Sequence, residues 1–516
     1  MLKMALSMLL ALLFLLPASA VGEDMEPQRL TNAQGFVYIL VDDGSAEIVG
    51  YTGKALKLVI PEKLDGHRVT AIGERAFAGT KITEVTVAKS IKRIDISAFE
   101  FCRAMTTARL PEGLEFMNSG VFRYCEKLTT VNLPDTLKLI DDRVFESCSA
   151  LSKVKLSSKH PLLELVDGVL FTRDTRRLLW YPVPRKEQAY SIPEGTLSIG
   201  SMAFSITQVT AVTIPDSVEQ IAPYAFNHCT RLKSINIPAK VTELRAVFTG
   251  CQNLTDILVS PNNPVFYDLD GVLFQREEQK LALYPAGRKD EHYEIPEGTL
   301  IIGAESISSR ALTEIVIPAS VKTIEFSAFY GTRLTSVVIP EGVEVLGPSA
   351  FQHCHQLTEV RLPRSLVKVN SNPFLFCDRL STVMVDEDHP ALAIMNGALV
   401  CLENMRLVWY PETGEEVDYT IPPGVRAIDA YAFRDCGYLT GITLPEGLES
   451  IDAYVFTGCT NLNRIVLPAS LTEIDKTAFQ MKSDSRELIP ATYVVVPGSY
   501  AENFCQSYGL RIEYAR

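Results

Sequence analysis

The residues of this chain with the greatest chemical potential are its thiols and imidazoles. Eleven cysteines in 516 residues suggest disulfides if the chain is exported, and the odd count leaves at least one thiol over. Nine of them, Cys102, Cys125, Cys148, Cys229, Cys251, Cys354, Cys377, Cys436 and Cys459, follow a recurring aromatic residue by three positions. A constant phase of this kind puts them in a ladder on one inner corner of stacked turns, where each acts as a small hydrophobe. Stacked parallel side chains seldom offer the torsion of a disulfide even at bridging Cα distances, so buried free thiols are expected. Cys401 and Cys505 lie outside the ladder without an evident partner. His353-Cys354-His355 comes nearest to a metal-ligand set, but structural zinc needs four converging ligands, and the phase points Cys354 inward. His228 shares the repeat position of His353. His160 and His389 precede proline at the start of two matching insertions, where Asn263 stands in a third, and all three read as turn residues. G-x-S-x-G, H-E-x-x-H and phosphate-binding glycine loops are missing, as is any nucleophile beside a base on an element that breaks the repeat. No catalytic residue, cofactor or metal is expected.

The elements that position these side chains repeat along the chain. The aromatic recurs at Phe77, Phe99, Phe122, Phe145, Phe204, Phe226, Phe248, Phe329, Phe351, Phe374, Phe433, Phe456 and Phe479, with Ile307 in one copy, at spacings of 22 or 23 except for three gaps of 59. A fixed short period means one supersecondary unit stacked on copies of itself, a solenoid. In Leu128-Thr129-Thr130-Val131-Asn132-Leu133-Pro134, Val131 and Leu133 alternate with Thr130 and Asn132 in the period of a half-buried strand. Proline then ends the strand, as it does at Pro111, Pro215, Pro238, Pro318, Pro340, Pro363, Pro445 and Pro468, because it cannot donate to a ladder. Successive coils return the chain to the same place, so equivalent strands must lie side by side and parallel at about 4.8 Å.

The clearest copies read A-F-x-x-C-x-x-L-x-x-V/I-x-L/I-P, and in this the unit resembles the BspA-like class of leucine-rich repeat. Asparagine-ladder leucine-rich repeats are similar in period but carry Asn where this chain carries Cys. The resemblance covers nearly the whole chain after its first residues. It implies a β-rich leucine-rich repeat solenoid of parallel stacked strands, about fourteen coils of 22 or 23 residues over 71–489. It further implies a secreted or surface-exposed protein of a host-associated microbe, in a class of which some members bind extracellular matrix proteins or other cells.

The three long gaps resemble one another and define insertions near 158–193, 261–296 and 387–422. Each carries Asp-Gly or Asn-Gly between apolar runs (Asp167-Gly168, Asp270-Gly271, Asn396-Gly397), the strongest short hairpin signal, and each reads as an antiparallel β-meander built onto the solenoid. Both tryptophans, Trp180 and Trp409, hold corresponding places beside Tyr181-Pro182 and Tyr410-Pro411, and Tyr284-Pro285 matches them in the middle insertion. These rings read either as partner anchors or as clamps between hairpin and solenoid, and the repetition favours clamps. Residues 21–70 read as an N-terminal β cap with a hairpin over Phe36–Leu40 and Ala46–Tyr51. Residues 490–516 read as a C-terminal cap with a short helix from Ser499 to Tyr508.

At the start, Lys3, the apolar run Ala5 to Leu16 and Ala18-Ser19-Ala20 have the form of a secretory signal peptide over 1–20. The run is short for a membrane-crossing helix, and no later stretch is long and apolar enough. The net charge of −13 with no basic run makes nucleic acid and anionic lipid poor partners. The surface left for recognition is the outward row of the strands, Asn132, Lys155, Thr213, Asn236, Leu258, Val316, Val338, Arg361, Met384, Thr443 and Val466. From Leu258 to Val338 this row is aliphatic. It reads as a contact patch unless the meanders cover it. The expected partner is an extracellular protein or cell-surface ligand, with Val316, Val338, Arg361, Trp180, Tyr181, Tyr284, Trp409 and Tyr410 as candidate contacts. The alternative is a structural or carbohydrate-contacting scaffold without a protein receptor.

Overall fold

A computed structural model describes residues 27–414, 417–483 and 486–515, so the leader lies outside the described residues. The chain forms two compact units, Met1–Arg173 and Asp174–Arg516.

In the first unit, Leu30–Thr31, Phe36–Leu40 and Ala46–Tyr51 form an antiparallel sheet. Ala46–Tyr51 then pairs in parallel with His67–Ile72, and the chain enters the coils. Each coil supplies two strands to two different parallel sheets. A three-residue strand such as Thr130–Asn132 stacks between Thr107–Arg109 and Lys153–Lys155, with Val131 fully buried and its neighbours half exposed, as the alternation predicts. A two-residue strand such as Phe116–Met117 stacks between Arg93–Ile94 and Leu139–Ile140. The second sheet is too short per coil to leave a period-2 pattern in the sequence.

Between the two sheets, the Ala-Phe turn forms a third ladder. Phe77, Phe99, Phe122 and Phe145 stack with centroids 5.1, 5.7 and 6.2 Å apart. The N–H of each of the first three donates to the carbonyl preceding the next Phe: Phe77 to Ala98, Phe99 to Val121, Phe122 to Val144. The sharp bend is made by residues two before and two after the ring, which take positive φ, as at Ser97 (56°) and Phe101 (58°).

The second unit repeats this plan. Phe204 and Phe226, Phe329 and Phe351, and Phe456 and Phe479 stack at 4.8, 4.9 and 5.3 Å. Its two complete insertions are three-stranded meanders: Phe266–Leu269, Val272–Gln275 and Lys280–Leu283, then Leu392–Met395, Ala398–Cys401 and Arg406–Trp409. Their Asp-Gly and Asn-Gly turns have positive φ at both residues (50° and 75°, 46° and 81°), which a type I′ turn requires. The third strand of each does not protrude. It pairs in parallel with the two-residue strand of the next coil, Lys280–Leu283 with Ile301–Ile302 and Arg406–Trp409 with Ala427–Ile428, so the insertion ends inside the solenoid. The unit closes with the helix Tyr500–Ser507, whose N-cap Ser499 accepts from the Glu502 amide while Glu502 accepts from Gly498. Arg511–Tyr514 then adds in parallel to Thr492–Val495.

Candidate functional site

The thiol ladder is a set of bonds between coils as well as a packing device. All eleven cysteines are unpaired and buried. Each ladder thiol donates across to the coil before it: Cys102 to the Phe77 carbonyl at 3.2 Å, Cys125 to Phe99 at 3.2 Å, Cys354 to Phe329 at 3.2 Å, Cys459 to Phe433 at 3.0 Å. Where a coil lacks Cys, Thr80, Thr207 or Thr332 takes the place, its hydroxyl 3.2–3.4 Å from the next coil's sulfur. Burial pushes the Cys148 thiol above its ordinary range, Cys401 to about 11 and Cys505 to about 12. Thiols held protonated in this way are poor nucleophiles.

The imidazoles divide by setting. In the first unit His160 is 1 % exposed; its Nε2–H donates to the Pro134 carbonyl at 2.9 Å, and its Nδ1 accepts from the amides of Leu162 and Leu163. In the second unit His389 makes the same bonds to Pro363, Ala391 and Leu392. Asn263 reproduces them with its amide, Nδ2 donating to Pro238 and Oδ1 accepting from Val265 and Phe266. These three residues staple the start of each insertion to the corner of the coil before it. They are more than turn formers. In the His353-Cys354-His355 triplet, the His353 ring stacks on Phe376 at 4.3 Å, Cys354 donates inward, and His355 Nδ1 lies 2.9 Å from Asp378. Among the described residues no three His, Cys, Asp or Glu side chains are placed to hold a metal.

The rings of the insertions lie in the core: Trp180, Tyr181, Tyr284, Trp409 and Tyr410 are all buried. Tyr181, Tyr284 and Tyr410 fill the spine position. Their amides donate to Ala203, Ser306 and Ala432, the bond a spine Phe makes, and the rings of Tyr181 and Tyr410 lie 5.0 Å from Phe204 and Phe433. Trp409 meets Phe374 edge-on at 5.8 Å.

On the face of the three-residue strands, the outward row differs from the expectation in two ways. Asn132 and Asn236 fold back along the sheet, each bonding both the amide and the carbonyl of one residue in the preceding coil, Leu110 and Ile214. The aliphatic run from Leu258 to Val338 is also interrupted. The strand of Leu258 borders its own insertion, where the Ile257 amide donates to Gly271, and the next coil presents Glu294 beside Val316. Val316 and Val338 remain uncovered, 45 % and 64 % exposed. Arg361 pairs in register with Val338 and lies 3.4 Å from Asp386.

Sequence reasoning missed three charged groups. Glu100 and Glu146 are buried and share Arg123, at 3.3 and 3.0 Å, while Arg75 and Arg143 hold their other sides. All three central residues directly follow a spine Phe, so the alternation of charge was legible. Asp429, buried beside Arg406, is pushed to about 6 by desolvation. Burial, with Asp378 and Asp435 nearby, pushes Glu412 to about 8 against the pull of Arg434; the Arg434 guanidinium lies 4.1 Å over the Phe376 ring.

With this geometry established, comparison places the chain. Six copies of the BspA type leucine rich repeat region match residues 67–166, 186–269, 288–392 and 414–509. Among solved structures it is similar to a leucine rich cell surface protein of Faecalibacterium prausnitzii, at 22% identity over 89% of this chain and 99% of that one, with a TM-score of 0.33. A leucine-rich repeat protein of Eubacterium ventriosum is 20% identical over 88% and 95%, with a TM-score of 0.36. The pneumococcal vaccine antigen PcpA is 17% identical over 95% and 99%, with a TM-score of 0.27. No curated protein matches the chain. Among the described residues no helix is long and apolar enough to cross a membrane. The parallel coils, the Phe spine, its Cys ladder and the matched regions agree: this chain belongs to the BspA type leucine rich repeat family.

Proposed function

We propose that this protein is a non-enzymatic, secreted or surface-associated recognition protein, which binds an extracellular protein or cell-surface ligand in adhesion to host or neighbouring cells. The observation that carries the reading is the exposed pair Val316 and Val338 on the sheet face, 45 % and 64 % exposed on strands whose central residues are buried. Aliphatic side chains left in water gain free energy when a partner covers them. Arg361, on the next strand, supplies a charged margin. The leader-like segment over residues 1–20 supports export. Trp180, Tyr181, Tyr284, Trp409 and Tyr410 act from the core in this reading, as packing residues of their own coils. The test is a pull-down of extracellular matrix proteins beside a glycan array, with wild type and a Val316→Glu/Val338→Glu variant. Capture of a matrix protein by wild type and its loss in the variant supports recognition through the strip. Glycan binding that the variant retains favours the carbohydrate-contacting scaffold instead.

A further inference from the structure

Charge is unevenly spread along the outward positions of the three-residue strands. In the first unit these positions carry Lys57, Arg109, Lys153 and Lys155, and Glu84 there is paired with Lys57 and Arg109. In the last coils of the second unit Arg464 meets Glu513 at 3.1 Å. The coils from His292 to Arg361 differ. Glu294, Glu314 and Glu359 all stand exposed on this face, and among the described residues no lysine or arginine pairs with any of them. Only His292 approaches, at 3.3 Å from both Glu294 and Glu314. Val316 shares the strand of Glu314 and stands in register with Glu294, while Val338 lies on the strand beside that of Glu359, in register with Arg361, which lies 3.4 Å from Asp386.

The spacing fits one kind of occupant. Glu314 and Val316 are two residues apart on one strand, about 6.6 Å, which is also the separation of alternate side chains on one face of an extended chain. We propose that the strip bounded by Glu294, Glu314 and Glu359 and floored by Val316 and Val338 docks an extended protein segment. That segment carries a lysine or arginine two residues from an aliphatic or aromatic side chain. The cation sits over the carboxylates, which repel one another until it arrives, and the apolar side chain covers the valines. The inference rests on the recognition reading above and adds the chemistry of the partner. The Coulombic part weakens with salt as exposed charges are screened. The apolar part does not.

The experiment measures fluorescence anisotropy of labelled synthetic peptides against the full chain. One peptide, Lys-Val, repeats Lys-Ser-Val-Ser, so that Lys and Val alternate along one face; a second, Glu-Val, has Glu for each Lys, and a third has Ser for each Val. The Lys-Val peptide binds, and the other two bind at least about tenfold more weakly, a difference of about 1.4 kcal/mol. Glu314→Gln/Glu359→Gln and, separately, Val338→Ser each weaken the Lys-Val peptide by about tenfold or more, and raising the salt reduces its binding to wild type. All these positions are exposed, so the variants keep their fold, which thermal denaturation verifies. Equal binding of the Glu-Val peptide, or unchanged Lys-Val binding in the double Gln variant, overturns the proposal. The two readings separate in the pull-down: if Val316→Glu/Val338→Glu loses a matrix protein that Glu314→Gln/Glu359→Gln still captures, recognition at the strip stands and the cationic partner falls.

Discussion

The ring of Tyr181 lies 5.0 Å from that of Phe204 and 27° from parallel to it, within the range of the Phe–Phe stacks that follow it, Phe204–Phe226 at 4.8 Å and 11° and Phe226–Phe248 at 5.9 Å and 27°. The tyrosine of the first insertion is therefore a spine residue, and its neighbourhood judges it as one. Tyr181→Ala is expected to cost about 3–5 kcal/mol, as for a core Phe. Tyr181→Phe is expected to be neutral or stabilising, because the buried hydroxyl has no hydrogen-bond partner among the described residues. Denaturant unfolding of both variants checks this. A tolerated alanine would show that the ring only decorates the insertion.

His160 makes stability depend on pH. Burial lowers its pKa, against the smaller pull of the Pro134 carbonyl and the Asp135 and Glu112 charges. The neutral ring is the one that fits, since Nδ1 must accept from two amides. The unfolded chain therefore takes up the proton first. Stability is full above the ordinary imidazole value of about 6.5 and is lost as pH falls below it. His160→Asn copies the staple that Asn263 provides and removes the titration. Melting temperatures of wild type and variant should converge near pH 8 and separate in favour of the variant toward pH 5; parallel curves would contradict the assignment.

At the ladder position, hydrogen bonding and volume both count. Cys354→Ala loses the bond to the Phe329 carbonyl and leaves a small void, at a cost of about 1–2 kcal/mol. Cys354→Thr should cost less, because Thr332 already holds the same place one coil earlier. Unfolding free energies in the reverse order would show that the sulfur is only filler. Thiol titration is expected to reach all eleven cysteines only in denaturant.

Ile206 stands in the left-handed region, with φ of 58°, at the bend after Phe204. A β-branched side chain is strained there, and four of the equivalent positions, Gly79, Gly250, Gly331 and Gly458, carry glycine while none of the others with positive φ carries a β-branched residue. Ile206→Gly is expected to raise stability by up to about 1 kcal/mol after its entropic cost. Calorimetry of the variant decides, and a loss of stability would mean that the Ile206 side chain packs well enough to outweigh its strain.

The spine and the thiol ladder were legible because thirteen of the fourteen copies carry Phe and nine carry Cys at a constant phase. Tyr181 and Tyr410 were harder to place. Each stands beside a Trp and before a Pro, which reads as a hairpin clamp, although each precedes the next spine Phe by the ordinary repeat spacing. The bonds of Asn132 and His160 are invisible to single-coil patterns, since both partners lie in the coil before. The break between Leu258 and Val316 was hidden for a related reason: Glu294 belongs to an insertion in sequence but to the sheet face in space.

Recognition through the exposed strip is the central claim, and its most direct test is binding of wild type and Val316→Glu/Val338→Glu to a panel of immobilised matrix proteins, read by surface plasmon resonance. The account predicts that wild type binds at least one of them and that the variant, folded by the same melting temperature, loses that binding by about tenfold or more. Equal affinity of the two chains for every protein bound would contradict it.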